Sequence, residues 1–293
     1  MTRPATEVST IVIRDIESVP EMRAIEELQK EVWGLPDLDV VPFSHLIAAK
    51  TAGGVLLGAF EGVTLVGFVY GFAACENGQM MHHSHMLAVK PQYREYHIGQ
   101  KLKLAQRDRV LAQGITAMTW TFDPLQSLNA HFNFSKLGVV SHRYLVNFYG
   151  EDAASFLHRN GTDRLWVTWL LDASLDKGRL KAGSDSERVV PLVEPGDDDA
   201  PRRNDLIDGL AREQAAITIP SDINLLQQRS TELAHEWRLA TRWAFTEAIA
   251  AGYMVLDFHS VNRGERRLGT YLLSRAEEVR LLWQRTEFGG RDR

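Results

Sequence analysis

Three histidines fall within four positions at His82-His83-Ser84-His85, in a stretch that reads as a β-strand. Period two puts His83, His85, Leu87 and Val89 on one face of that strand and His82, Ser84, Met86 and Ala88 on the other. Histidine is the side chain whose ordinary proton affinity lies nearest neutrality. A pair of them on one face can therefore serve acid–base chemistry. Two other readings stay open. Strand histidines also serve as hydrogen-bonded structural residues, and alternate positions ~6.5 Å apart can share a metal ion. No neighbouring acidic or cysteine pair completes a known ligand spacing, so no metal is expected.

The strand ends at Lys90-Pro91, and the loop Gln92–His97 leads to Ile98-Gly99, where a helix begins. Its apolar spacing runs through Leu102, Ala105 and Val110, and Gly114 closes it. A helix start turns unpaired N–H groups and the positive end of the helix dipole outward, which suits an anion. Lys101, Lys103 and Arg107 either meet that anion or form a solvated helix face. Acid–base side chains beside an anion-binding turn point to a phosphate-bearing cofactor next to proton chemistry.

The surrounding elements must hold this unit in place. Thr10–Arg14 reads as a strand. Ser18-Val-Pro-Glu21 has capping-box spacing, so a first helix runs from about Pro20 to Val32, and a second from Phe43 to Lys50. Val55–Phe60 and Val63–Phe72 read as a hairpin turning at Glu61-Gly62, and Asn77-Gly78 turns the chain into the histidine strand. Ile115–Phe122 is a further strand, Asn129–Leu137 a short helix, and Tyr144–Tyr149 and Leu165–Leu171 two more strands. Asp123-Pro124 and Asn129 fit capping and turn roles. His235, Trp237 and Trp243 fit a core or an interface.

The polar, Gly- and Pro-containing run from about Ser174 to Asn204 reads as a linker or surface loop. This divides the chain into residues 1–173, a linker at 174–204 and a C-terminal region at 205–293. In that last region Ile217–Pro220 is extended, Leu225–Ala251 reads as one long helix, and Tyr253–Ser260 and Leu268–Ser274 read as paired strands.

A chain of 293 residues with 44% hydrophobic and 24% charged residues can bury a sizeable core. A net charge of -5 argues against a dedicated nucleic-acid binder. The one cysteine, Cys75, allows no internal disulfide and reads as a buried thiol at a strand end. No apolar signal segment opens the sequence and no run approaches the ~18 apolar residues of a membrane span, so a cytoplasmic protein is expected.

Motif by motif, the chain resembles the GNAT superfamily of N-acetyltransferases. Arg94-Glu-Tyr-His97-Ile-Gly99, preceded by Leu87-Ala-Val-Lys-Pro-Gln-Tyr, is similar to the family's Q/R-x-x-G-x-G/A loop, with His97 at the first glycine. Asn129-Ala-His-Phe-Asn-Phe-Ser-Lys-Leu-Gly138 resembles the family segment whose tyrosine protonates the departing thiolate of coenzyme A. Phe134 stands at that tyrosine and has no proton to give, which leaves Asn133, Ser135, Tyr144 and Tyr149 as nearby candidates. His83-Ser-His85-Met-Leu-Ala-Val89 resembles the His-x-His-x-Leu-Ala-Val strand of arylalkylamine N-acetyltransferases. With EVWG at 31–34, WTFDPL at 120–125 and KLG at 136–138, the first part also resembles a bacterial GNAT subgroup with a C-terminal extension. Some relatives of that subgroup are linked to N-succinylation of amino acids.

The resemblance implies an α/β (α+β) fold with a mixed, mostly antiparallel sheet flanked by helices, and a smaller α+β C-terminal region. It implies an acyl-CoA-dependent N-acyltransferase that moves an acetyl or succinyl group from acetyl-CoA or succinyl-CoA to a small amine or amino acid. A non-catalytic acyl-CoA-binding protein is the alternative. His83 and His85 would carry the proton path. Leu87, Ala88 and Val89 would face the acyl group and pantetheine, Arg94, Glu95, Tyr96, His97, Ile98, Gly99, Gln100 and Lys101 would hold the pyrophosphate, and Asn129 would complete the cofactor site. The implied partners are that small-molecule substrate and, for assembly, a second copy as a homodimer, with no nucleic acid and no membrane.

Overall fold

The computed structural model describes residues 10–76, 78–150, 160–171, 189, 191–196, 198–264 and 266–275. The fold is mixed α/β, with mostly antiparallel strands and flanking helices. The chain divides into two compact units. Among the described residues, the first takes 10–75 and 80–118, and the second takes 76, 78–79, 119–150 and those from 160 onward.

In the first unit the order is β1 (Ile11–Asp15), α1 (Val19–Trp33), α2 (Phe43–Thr51), β2 (Val55–Glu61), β3 (Thr64–Glu76), β4 (Gln79–Val89), α3 (Ile98–Ala112) and the start of β5 (Ala117–Phe122). The strands lie side by side as β1-β2-β3-β4, with β1 and β3 antiparallel to β2. The capping box is present: Ser18 accepts from the Glu21 N–H while the Glu21 carboxylate accepts from the Ser18 N–H. Gly34 ends α1 in the left-handed conformation. Met22, Ile25, Leu28 and Val32 form the buried stripe of α1 and pack with Leu56, Phe60, Phe68 and Tyr70. Each such burial contributes roughly 1.5–3 kcal/mol.

The second unit continues with α4 (Ser127–Ala130), a π-helical turn (His131–Leu137), β6 (Val140–Leu145), β7 (Arg164–Leu170), β8 (Pro191–Pro195), β9 (Pro201–Arg203), α5 (Leu206–Leu210), β10 (Gln214–Pro220), α6 (Ile223–Arg229), α7 (Thr231–Ala250), β11 (Met254–Arg263) and β12 (Arg266–Ser274). Its strands follow the order β5-β7-β6-β11-β12-β10-β8-β9. The contacts place 119–150 and 160–171 with the C-terminal elements.

Several elements differ from the sequence reading. Residues 191–195 and 201–203 are strands, because β8 pairs with β10 and β9 with β8; the rest of the expected linker lies mostly outside the described residues. The helix expected over Leu225–Ala251 is two helices, since Ser230 has extended backbone and its Oγ accepts from the Leu233 N–H to start α7. β6 covers Val140–Leu145, not Tyr144–Tyr149, and the chain turns at Asn147 with φ 47°. Asn129–Leu137 is a short α-turn followed by a π-helical turn. Cys75 is exposed, not buried.

Candidate active site

β4 presents its side chains as period two requires. His82, Ser84 and Ala88 are buried, while His83, Leu87 and Val89 are partly open and His85 is exposed. The open face meets an aromatic wall that β3 supplies: the His83 ring lies 5.5 Å from Phe72, and His85 lies 5.8 Å from Phe72, 6.0 Å from Tyr70 and 6.2 Å from His83. From α2, His45 Nε2 sits 2.9 Å from the buried Tyr70 hydroxyl.

This wall fixes the protonation of the pair. Burial first, and then the neighbouring His85 and Lys103, together push His83 down to about 4. His85 is lowered too, first because the aromatic rings desolvate it despite its exposed edge, and then by His45. Both imidazoles are thus neutral at pH 7. An affinity this low makes His83 a poor store for a proton but an always available acceptor, which suits a relay.

At the end of β4 the chain makes a 3₁₀ turn over Pro91–Tyr96 and enters α3 through His97, whose φ of 56° and ψ of 25° are left-handed. This is the conformation a glycine adopts most readily, and histidine is among the few other residues enriched there. Lys101 N–H closes the first helical turn on the His97 carbonyl at 3.1 Å, leaving the N–H groups before it directed outward. Gly99 has no need of positive φ, and a Cβ there would meet only Leu87 Cδ2, at 3.9 Å. The fold leaves that space open, and it is where a phosphate could approach the backbone.

The other expected turn residues fall around this start. Arg94, Glu95, Tyr96 and Lys101 are exposed, Gln100 is partly open and Ile98 is buried as the core anchor of α3. Arg94 Nε donates to the Val89 carbonyl at 3.4 Å. Lys103 neither faces solvent nor stands ready for a phosphate: it is 3% exposed. Asn129 belongs to the second unit, where it is exposed on α4.

Phe134 is also in the second unit, 1% exposed, with ring contacts to Phe122 at 6.3 Å and Tyr271 at 5.7 Å. The residues near it in sequence are engaged structurally. Asn133 accepts from Trp120 Nε1 at 3.2 Å, and Ser135 donates to the Phe258 carbonyl. Tyr144 donates to Asp163 at 2.7 Å, and burial raises its hydroxyl well above the ordinary tyrosine range.

Sequence reasoning missed His45, Tyr70 and Phe72. The available signal was Gly71, set between two aromatics in a strand. A Cβ on Gly71 would lie 2.3 Å from His82 Nε2 and 2.6 Å from the His83 carbonyl. Among the described residues, no group of three or more His, Cys, Asp and Glu side chains could hold a metal ion, and no helix is long and apolar enough to cross a membrane.

No protein-family model and no curated protein matches the chain. Solved structures similar to it include the ribosomal-protein-S18-alanine N-acetyltransferase from Escherichia coli, at 11% identity and TM-score 0.45 over 57% of this chain and 97% of that one. The aminoglycoside 6'-N-acetyltransferase from Enterococcus faecium is 17% identical at TM-score 0.43, over 56% of this chain and 99% of that one. Arabidopsis thaliana Naa50, in complex with a bisubstrate analogue, is 16% identical at TM-score 0.43, over 55% and 98%.

Proposed function

We propose that the chain is an acyl-CoA-dependent N-acyltransferase acting on a small amine or amino acid, with acetyl-CoA or succinyl-CoA as donor. The observation that carries this reading is the junction of β4 and α3. Two neutral histidines on the open face of one strand lead, through a left-handed residue, into a helix start with free space at Gly99. The residues present fit such a donor. The outward N–H groups of the helix start, with Arg94, Gln100 and Lys101 around them, would hold the pyrophosphate, while Leu87 to Val89 would line the acyl and pantetheine portion. The acceptor's ammonium gives a proton to His83 or His85. The free amine then forms a C–N bond at the thioester carbonyl, the C–S bond breaks, and the second proton shed by the nitrogen leaves with the departing sulfur as free thiol.

Phe134 supports a second reading, a non-catalytic acyl-CoA-binding protein, because the position of the family's thiolate acid is a core phenylalanine. A thiol-release assay separates the two. The purified chain is incubated with acetyl-CoA or succinyl-CoA and a panel of amines that includes D-amino acids. Acceptor-dependent release of free thiol supports the enzyme. Binding of both donors with no release from any acceptor overturns it.

A further inference from the structure

Behind β4, on the face away from the histidine pair, lies a buried chain of polar groups that the proposed chemistry does not use. Lys103 Nζ donates to Ser84 Oγ at 2.7 Å, and Ser84 Oγ donates to Gln106 Oε1 at 2.7 Å. The Gln106 amide nitrogen lies 3.2 Å from His82 Nε2. All four side chains are at most 4% exposed. The fold makes room for them at Gly71, where a Cβ would lie 2.3 Å from His82 Nε2 and 2.8 Å from the Gln106 amide nitrogen. His82 Nδ1 is buried with no hydrogen-bond partner among the described residues. Apolar residues of similar size would fill this layer at lower cost, since burying an amine and an imidazole is expensive.

Ser84 sits between His83 and His85 in sequence while its side chain emerges on the opposite face. Its bond to Lys103 therefore pins the stretch of backbone that carries both histidines. We propose that Lys103 is a positioning residue, acting through Ser84 and from behind the strand, that holds the backbone carrying His83 and His85 and adds to the burial that keeps His83 in its proton-accepting form. A protonated Lys103 opposes a second positive charge on the imidazole across the strand, and the buried setting leaves little water to screen that repulsion. Burial acts first on His83, then His85 on β4 and Lys103 from α3; His82 is its neighbour on the same strand, and the uncharged Phe72 ring from β3 lies against it. Burial drives Lys103 itself toward its neutral form, so the amine and the two histidines compete for a limited number of protons.

A role for this device in catalysis rests on the acyltransferase reading, but its test does not. The imidazole resonances of the full chain are titrated by NMR between pH 3 and 8, with His83→Gln identifying the His83 signal. Lys103→Met removes the amine at similar volume and is expected to raise the His83 midpoint by a few tenths of a pH unit, since burial and His85 contribute more. Ser84→Ala removes the tether and should raise it by less. A His83 midpoint unchanged in folded Lys103→Met overturns the proposal. Should Lys103→Met fail to fold, Ser84→Ala decides, and an unchanged midpoint there overturns it equally. Where acceptor turnover exists, Lys103→Met should alter the pH profile of kcat/KM and leave the KM for the acyl donor in place. A moved midpoint in a protein that transfers no acyl group sinks the acyltransferase reading and leaves the device standing.

Discussion

His97 spends conformational free energy at the head of α3, because a left-handed backbone costs an L-residue roughly 1–2 kcal/mol. His97→Gly relieves that strain while adding freedom to the unfolded chain. The net expectation is a gain of about 0.5–1 kcal/mol in denaturant unfolding, whereas a β-branched His97→Val should lose stability. Unfolding midpoints in the reverse order would show that the imidazole holds this turn. His82 leads to a pH effect. Burial lowers it from 6.5 to about 4, with Lys103 and His83 adding to the effect, so the unfolded chain binds more protons within that window. The stability present above pH 6.5 is lost as pH falls through 4, by about 3 kcal/mol for this one group. His82→Gln should flatten the slope of unfolding free energy between those pH values. An unchanged slope in that variant would mean that other groups set it.

Among the elements, the start of α3 is where sequence and structure agree most closely and where binding can be separated from folding. A Cβ at Gly99 would meet nothing closer than 3.9 Å, and alanine or leucine favours a helix over glycine by roughly 1 kcal/mol. Gly99→Leu should therefore leave the thermal midpoint unchanged or higher while weakening coenzyme A binding at least about tenfold, the cost of blocking close backbone approach. Calorimetry against coenzyme A, paired with a melting curve, checks both halves. Full binding by the variant would move the pyrophosphate away from this helix. The legible elements are those specified locally. The α1 capping box, the β2–β3 hairpin and the alternation of β4 all depend on neighbours within a few residues; the first and last stand where the sequence puts them, and the hairpin turns one residue later than Glu61-Gly62, at Gly62-Val63. The break at Ser230 carried a local signal too, a serine N-cap inside an apolar-periodic run. The aromatic wall did not: Tyr70 and His45 meet across 25 positions, and only packing brings them together. Lys103 was illegible for the same reason, since its charge reads as a surface position until Ser84 and Gln106 surround it.

For the whole molecule, the largest departure from the sequence reading lies in the second unit, where the C-terminal helix α7 supplies charges to residues far upstream. Arg238, 1% exposed, donates through NH2 to Asp123 Oδ2 at 2.8 Å and through Nε to the Asn160 carbonyl at 2.7 Å. Asp163 is fully buried and accepts from Arg242 at 2.8 and 2.9 Å, from the Asn147 N–H at 2.9 Å and from Tyr144 at 2.7 Å. Burial pushes its carboxyl up, but these bonds outweigh that and hold it below the usual carboxylate range. Arg238 and Asp123 are 115 positions apart, so no spacing rule links them, and Asp123 reads from its neighbours as a turn residue. That reading is half of its role, since Asp123 Oδ1 also accepts from the Leu125 N–H at 2.9 Å. The pair matters through what its breakage leaves behind. Arg238→Met strands the Asp123 carboxylate in the core and should cost about 3–5 kcal/mol in denaturant unfolding of the full chain. Adding Asp123→Asn removes the stranded charge and keeps an acceptor for Leu125, so the double variant should recover a large part of that loss. A double variant no more stable than Arg238→Met would mean that α7 is held by its apolar face, through Trp237, Ala244 and Phe245, with the ion pair contributing little.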